Sequence, residues 1–239
     1  MWNQVRVSID RTHHVVDGRA LYPSRFDEVL PFHEPGLAPA REGKEWFHIH
    51  PDGKPVYAMR FERTFGFYEG LAAVRQVGSW FHIHPDGRPA YSRRFSWCGN
   101  FQGQRAVVSL HHGRYAHIRP DGQFAYCNRY NYAGDFKEGA AVVLGDSGSM
   151  FHIDEEGCRL GGESFLDLGP FHKGVAPAMD RRGWFHIDRD GNELYSRRFA
   201  AVEPFYNGRA RATTNRGQIL LLDERGRSVR IVRHGTATR

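Results

Sequence analysis

The stretch Gly70-Leu71-Ala72-Ala73-Val74-Arg75-Gln76-Val77-Gly78-Ser79-Trp80-Phe81-His82-Ile83-His84-Pro85-Asp86-Gly87 decides the fold. Phe81 and Ile83 alternate with His82 and His84, the two-residue period of a strand whose faces differ. Pro85-Asp86-Gly87 reads as a turn, because Pro presets φ, Asp bonds its own backbone and Gly accepts a positive φ. The flanking segments are expected to pair as a hairpin, with Arg88 to Phe95 as its return arm and third strand. Leu71 to Val74 is apolar on both faces, as a strand held between layers must be, and its small side chains point to crowding.

Outward from this stretch the Asp-Gly doublet or a stand-in recurs at Asp17-Gly18, Asp52-Gly53, Asp86-Gly87, Asp121-Gly122, Glu156-Gly157, Asp190-Gly191 and Arg225-Gly226. The steps are 35, 34, 35, 35, 34 and 35 residues, and a fixed period of this size marks a solenoid, propeller or array. The small-residue strand recurs with it at Leu37 to Ala40, Ala106 to Val108, Ala140 to Val143 and Val175 to Ala178. The spacing predicts an all-β chain of seven tandem three-stranded repeats, opening on a first strand at Val5 to Ile9 and closing on a third at Arg227 to Val232. Residues 1–239 therefore read as one domain. A propeller-like closed ring is favoured, because closure removes exposed sheet edges; an open superhelical array is the alternative. Every doublet is expected at a hairpin turn, with Phe47, Phe81, Phe151 and Phe185 buried.

Composition narrows the function classes. The longest apolar run is about Ala140 to Leu144, far short of the roughly 18 residues that cross a bilayer, so no membrane partner is expected. Met1 to Ser8 lacks a secretory apolar region, which makes a soluble, cytoplasmic protein the expectation. Cys98, Cys127 and Cys158 stand about 30 residues apart with no Cys-x-x-Cys pair and read as free thiols. A net charge of +6 favours acidic partners, but the basic residues are spread through the repeats and no nucleic-acid-binding module is recognisable, so nucleic acid is not the favoured partner.

Phe67-Tyr68-Glu69-Gly70-Leu71-Ala72-Ala73-Val74 and Gly183-Trp184-Phe185-His186-Ile187-Asp188-Arg189-Asp190-Gly191 carry a resemblance to the bacterial WG-repeat family, and it extends over essentially the whole chain. The resemblance implies a β-repeat, often attached to other domains, with no single activity of its own. The regular His, Tyr and Arg-Phe columns depart from the plainer family pattern, and the seventh repeat keeps little beyond its hairpin.

A histidine stands four residues before the doublet in six repeats: His13, His48, His82, His117, His152 and His186, with Leu221 in the seventh. One reading is a ladder of imidazoles available to a metal or to protons. The other is structural, each ring packing against the next repeat and bonding a backbone carbonyl or the turn Asp. A metal-binding or metal-dependent enzyme alternative would use His48, His50, His82 and His84, since His-x-His puts both rings on one strand face. The third strand carries Tyr57, Tyr91, Tyr126 and Tyr195, and three residues after each a basic residue: Arg60, Arg94, Arg129 and Arg198, preceded in the first repeat by Arg25. These arginines and tyrosines are the candidate binding residues, a basic rim suited to carboxylates or phosphates, although each Arg paired with a neighbouring Asp or Glu is the plainer arrangement. No nucleophile elbow, phosphate loop, metalloprotease helix or dinucleotide glycine pattern occurs, and no cofactor is expected. The expectation is a non-catalytic repeat scaffold that binds another protein or an anionic ligand, possibly as an accessory module to a catalytic partner.

Overall fold

The structure, a computed structural model, describes residues 4–233. Of the N-terminal stretch read for a leader, residues 1–3 lie outside the described residues. No α-helix occurs among the described residues, and so no helix is long and apolar enough to cross a membrane. The chain divides after Ala125 into two compact bodies.

The N-terminal body holds four antiparallel sheets, each a meander in chain order. They are β1 (Arg6–Val7), β2 (His14–Val16) and β3 (Arg19–Ala20); β4 (Glu28–Val29), β5 (Ala38–Glu42) and β6 (Glu45–Ile49); β7 (Arg63–Tyr68), β8 (Leu71–Gln76) and β9 (Ser79–Ile83); and β10 (Trp97–Cys98), β11 (Ala106–Ser109) and β12 (Tyr115–Ile118). The C-terminal body holds three: β13 (Tyr132–Ala133), β14 (Ala141–Leu144), β15 (Met150–Ile153) and β16 (Arg159–Phe165); β17 (Asp167–Leu168), β18 (Ala176–Asp180) and β19 (Gly183–Ile187); and β20 (Ala201–Val202), β21 (Ala210–Thr213), β22 (Ile219–Leu222) and β23 (Ser228–Arg233). Seven all-β repeats are thus present.

The small-residue strand is the central strand of its sheet. In the third repeat β8 pairs with β9 through Ala72↔Ile83, Val74↔Phe81 and Arg75↔Trp80, and with β7 through Thr64↔Val74 and Phe67↔Ala72. Ala38, Ala40, Ala72, Ala73, Ala106, Ala176 and Ala178 are fully buried, and their single methyl groups let large rings from the flanking layers close over the strand. Within the N-terminal body Leu37, Phe61, Phe67, Val74, Phe81 and Ile83 form one such layer.

The doublets do sit at hairpin turns. In the third repeat Gly87 N donates to His84 O, His84 N donates to Arg88 O, and Asp86 Oδ1 accepts the Arg88 amide at 3.0 Å. The return arm differs from expectation. It is a continuous strand only as β3, β16 and β23; in the second, third and sixth repeats it touches its partner through isolated bridges such as Ile83↔Pro89 and Trp80↔Phe95. The third strand of those sheets comes instead from the short segment before the central strand. Phe47, Phe81 and Phe185 are buried as expected, whereas Phe151 is half-buried. Its repeat has Ser164 where Arg60, Arg94 and Arg198 cover the equivalent rings, and Arg159 lies 4.7 Å from the Phe151 ring centroid in their place.

One strained residue is a direct test of the turn chemistry. Val77, joining β8 to β9, has φ 50° beside Gly78 at φ 73° and is 90% exposed. Two successive left-handed residues make the two-residue hairpin turn that favours Asn-Gly, and a β-branched residue is strained there. Val77→Asn is expected to raise stability by about 1 kcal/mol, read as an upward shift of the urea midpoint.

Candidate functional site

The column histidines are 0–4% exposed: His14, His48, His82, His117, His152 and His186. The first member is His14 and not His13, because Asp17-Gly18 is itself a two-residue turn with both φ values positive, one residue tighter than the later turns. His13 is instead half-buried with its Nδ1 3.0 Å from Thr12 Oγ1.

The imidazoles of His14, His48, His82, His152 and His186 each bridge two repeats. Nε2 lies 2.8–3.0 Å from a main-chain oxygen 16 or 17 residues on: Leu30 for His14, Phe65 for His48, Gly99 for His82, Gly169 for His152 and Glu203 for His186. A carbonyl only accepts, so Nε2 carries the proton. Nδ1 of the neutral ring then accepts from a tyrosine hydroxyl of its own repeat, 2.6 Å for Tyr22 and His14, 2.5 Å for Tyr91 and His82, 2.5 Å for Tyr195 and His186, with Tyr57 and His48 bonded likewise. These five rings also face the phenylalanine ahead of the next central strand, with centroids 4.1–4.6 Å apart for His152 and Phe171 through His82 and Phe101. Loss of water disfavours the charged ring and pushes His48, His82 and His152 down to about 4, and His14 and His186 in the same direction. The turn Asp, considered from sequence as a partner for the ring, accepts backbone amides of its own turn instead.

His152 lacks a tyrosine, since Gly161 stands in that column, and among the described residues only its Nε2 is bonded. His50 and His84 are exposed, apart from the buried rings of His48 and His82. No group of three or more His, Cys, Asp or Glu placed to hold a metal occurs among the described residues.

The tyrosines form the second tie between repeats. Tyr22, Tyr57, Tyr91, Tyr126 and Tyr195 lie over the turn glycine of the following repeat, where a Cβ on Gly53, Gly87, Gly122, Gly157 or Gly226 would come within 2.4–2.9 Å of the ring. Burial holds the phenols of Tyr57, Tyr91 and Tyr195 protonated to higher pH than usual. The hydroxyls of these three face inward to histidine.

The arginines curl the backbone that follows each tyrosine. Nη1 of Arg25, Arg60, Arg94 and Arg129 donates to three successive carbonyls: Tyr22, Pro23 and Ser24; Tyr57, Ala58 and Met59; Tyr91, Ser92 and Arg93; Tyr126, Cys127 and Asn128. Three carbonyls converging on one nitrogen cannot belong to an extended strand, which is why the return arm breaks there. Arg60, Arg94 and Arg198 also stack over Phe47, Phe81 and Phe185 at 4.0, 3.8 and 3.6 Å. The carboxylate pairing weighed from sequence is made by Arg198, to Asp180 at 2.9 Å and Glu193 at 2.5 Å, with its side chain 7% exposed.

Sequence reasoning passed over the glutamates of two turns that enter central strands, Glu69 before β8 and Glu138 before β14. Glu69 accepts the amides of Gly103 and Gln104 at 2.8 and 2.7 Å, and Glu138 those of Lys173 and Gly174 at 2.6 and 2.9 Å. The signal was available: Glu69 and Glu138 are 69 residues apart, two periods, each directly before a glycine.

The model of the WG containing repeat matches residues 17–46, 49–80 and 184–216, so these three stretches are WG repeats. No curated protein matches it. Among solved structures it is similar to the computationally designed Ika8 protein, 13% identical over 95% of this chain and 82% of that one with a TM-score of 0.54. It is also similar to BamB from Moraxella catarrhalis, 10% identical over 94% of this chain and 77% of that one with a TM-score of 0.50. At such identities the likeness is one of fold, that of β-propeller-like repeat proteins.

Two expectations follow from the ties between repeats. Gly122→Ala brings a methyl against the Tyr91 ring at φ +76°, whereas Gly18→Ala, at φ +74°, meets nothing within 4 Å. Gly18→Ala is expected to cost about 1 kcal/mol of backbone strain and Gly122→Ala clearly more, compared by urea denaturation. The histidines set a pH window. Their unfolded value is near 6.5 and the folded value about 4 for His48, His82 and His152, so between these the unfolded chain binds more protons. Their stabilisation is complete above pH 6.5 and is lost as pH falls toward about 4, each contributing up to about 1.4 kcal/mol per pH unit. Urea midpoints measured from pH 7 down to 4 should fall most steeply in that window.

Proposed function

We propose that the chain is a non-catalytic interaction scaffold that binds an anionic segment of another protein, with the arginine column as the contact. One observation carries this reading. Nη1 anchors each of Arg25, Arg60 and Arg94 in its own carbonyls, while the other guanidinium N–H groups of these three make no hydrogen bond among the described residues. A guanidinium already fixed in place loses little entropy on meeting a carboxylate. The imidazoles and phenols support the same reading, since their polar atoms are committed within and between repeats and are not free to meet a partner. Arg198, neutralised by two carboxylates, stands outside the proposed rim.

The test is a titration of the full chain with a fluorescent hexaglutamate peptide at several salt concentrations. The Arg60→Ala, Arg94→Ala double variant should bind several-fold more weakly and show a shallower salt dependence, because exposed charges are screened over about 8 Å at physiological ionic strength. Stability should also fall, since carbonyls lose a charged donor worth about 1.5–3 kcal/mol, so binding is measured well below the variant's melting temperature. Peptide affinity that ignores both salt and these two substitutions would sink the reading.

A further inference from the structure

We propose a second carboxylate site in the C-terminal body, at the turn Asn207-Gly208, whose occupant is an acidic side chain of a partner protein. It rests on the reading of the chain as a scaffold for an anionic partner, but on residues apart from the arginine column.

The chain supplies its own precedent. The turns entering the central strands at 103–104 and 173–174 each point two adjacent amides at a carboxylate, and that carboxylate comes from the corresponding turn one repeat earlier. The two amides hold the Glu138 carboxyl below its ordinary range. A pair of parallel N–H groups on a left-handed turn is an anion-binding concavity. Asn207-Gly208 is the same turn in the seventh repeat, with φ 51° and 70° and the same flanking bridge, Tyr206↔Arg209. The residue one repeat earlier, in the place of Glu69 and Glu138, is Lys173. A lysine cannot accept, and the amides of Asn207 and Gly208 have no acceptor among the described residues.

The surroundings favour an incoming anion. Gly208 opens on a cleft of ≈ 360 Å³ lined also by Arg209, Asp223, Glu224, Arg225 and Arg227. Asp223 is neutralised by Arg227 at 2.8 Å and by the amides of Arg225 and Arg227. Of the side chains lining the cleft, Arg209 and Arg225 are exposed and outnumber Glu224, the one lining acid with no ion pair among the described residues. The charge thus suits a single carboxylate seated on the two amides, with the basic side chains around it. A protein side chain is the fitting donor, because the internal examples are themselves glutamates.

The experiment uses ¹⁵N-labelled full chain titrated with a hexaglutamate peptide, following the amide resonances of Asn207 and Gly208. Saturating shifts at both are expected. Lys173→Glu should supply the carboxylate from within, as Glu138 does one repeat earlier, so the free variant should already show displaced Asn207 and Gly208 resonances, bind peptide at this site at least tenfold more weakly, and melt no lower than the wild type. Peptide that leaves these two amides unmoved, or that moves them equally in Lys173→Glu, overturns the proposal. If the peptide then still binds and the Arg60, Arg94 substitutions abolish that binding, the scaffold reading stands while this site falls. Acetate at equal carboxylate concentration is the second arm: shifts as large and as readily saturated as those from peptide would mark a small-anion site and overturn the protein side chain as occupant.

Discussion

A neutral imidazole that accepts from a tyrosine of its own repeat and donates to a carbonyl of the next is satisfied only when the two sheets lie at one separation and one register. A buried nitrogen without a partner costs about 1–3 kcal/mol, so any slip of one sheet against the next is penalised at every such ring. The small central strands make that separation reachable, and the phenylalanine facing each imidazole fills the layer around it. The turn glycines follow from the same constraint. A tyrosine whose hydroxyl must reach Nδ1 lays its ring over the next turn, and only a residue without a side chain leaves space there.

The arginine settles a competition within the return arms that carry it. Left alone, the segment after the doublet would continue as an edge strand, as β16 and β23 do. Three carbonyls gathered on one guanidinium end the strand early and cover the flat face of a core phenylalanine. A continuous open edge is a pairing hazard, so replacing it with a curled, positively charged loop protects the sheet as well as presenting charge.

Much of this was legible in the chain. The 34 or 35 residue period, the doublets and the alternation of Phe81 and Ile83 with His82 sufficed for seven all-β repeats and for their hairpins. The structural reading of the histidines was half right: the backbone carbonyl is the partner, but the turn Asp is not, because its side chain is engaged by its own turn amides. The third strand was misplaced because Arg88 to Phe95 has strand-like composition, and the arginine that breaks it acts through hydrogen bonds to backbone that no residue pattern displays. His14 was missed for a related reason, since counting from the doublet assumes turns of equal length. The glutamate caps escaped because their partners are amides, which every residue has.

The fifth repeat shows what the missing ties imply for cooperativity. With Gly161 for tyrosine and Ser164 for arginine, it holds the sixth repeat without the tyrosine tie, through the His152 bond to Gly169, the stacking on Phe171, the Glu138 carboxylate on the amides of Lys173 and Gly174, the close approach of Gly161 to the Asp190-Gly191 backbone and apolar packing. In an array whose cohesion passes between neighbours, a seam short of one such tie is a place where subglobal opening can begin. Within the C-terminal body that seam separates β13–β16 from β17–β23, making the two segments natural candidates for separate exchange units. The same place is where an inserted loop or a cut in the chain would be tolerated at least cost to the remaining sheets.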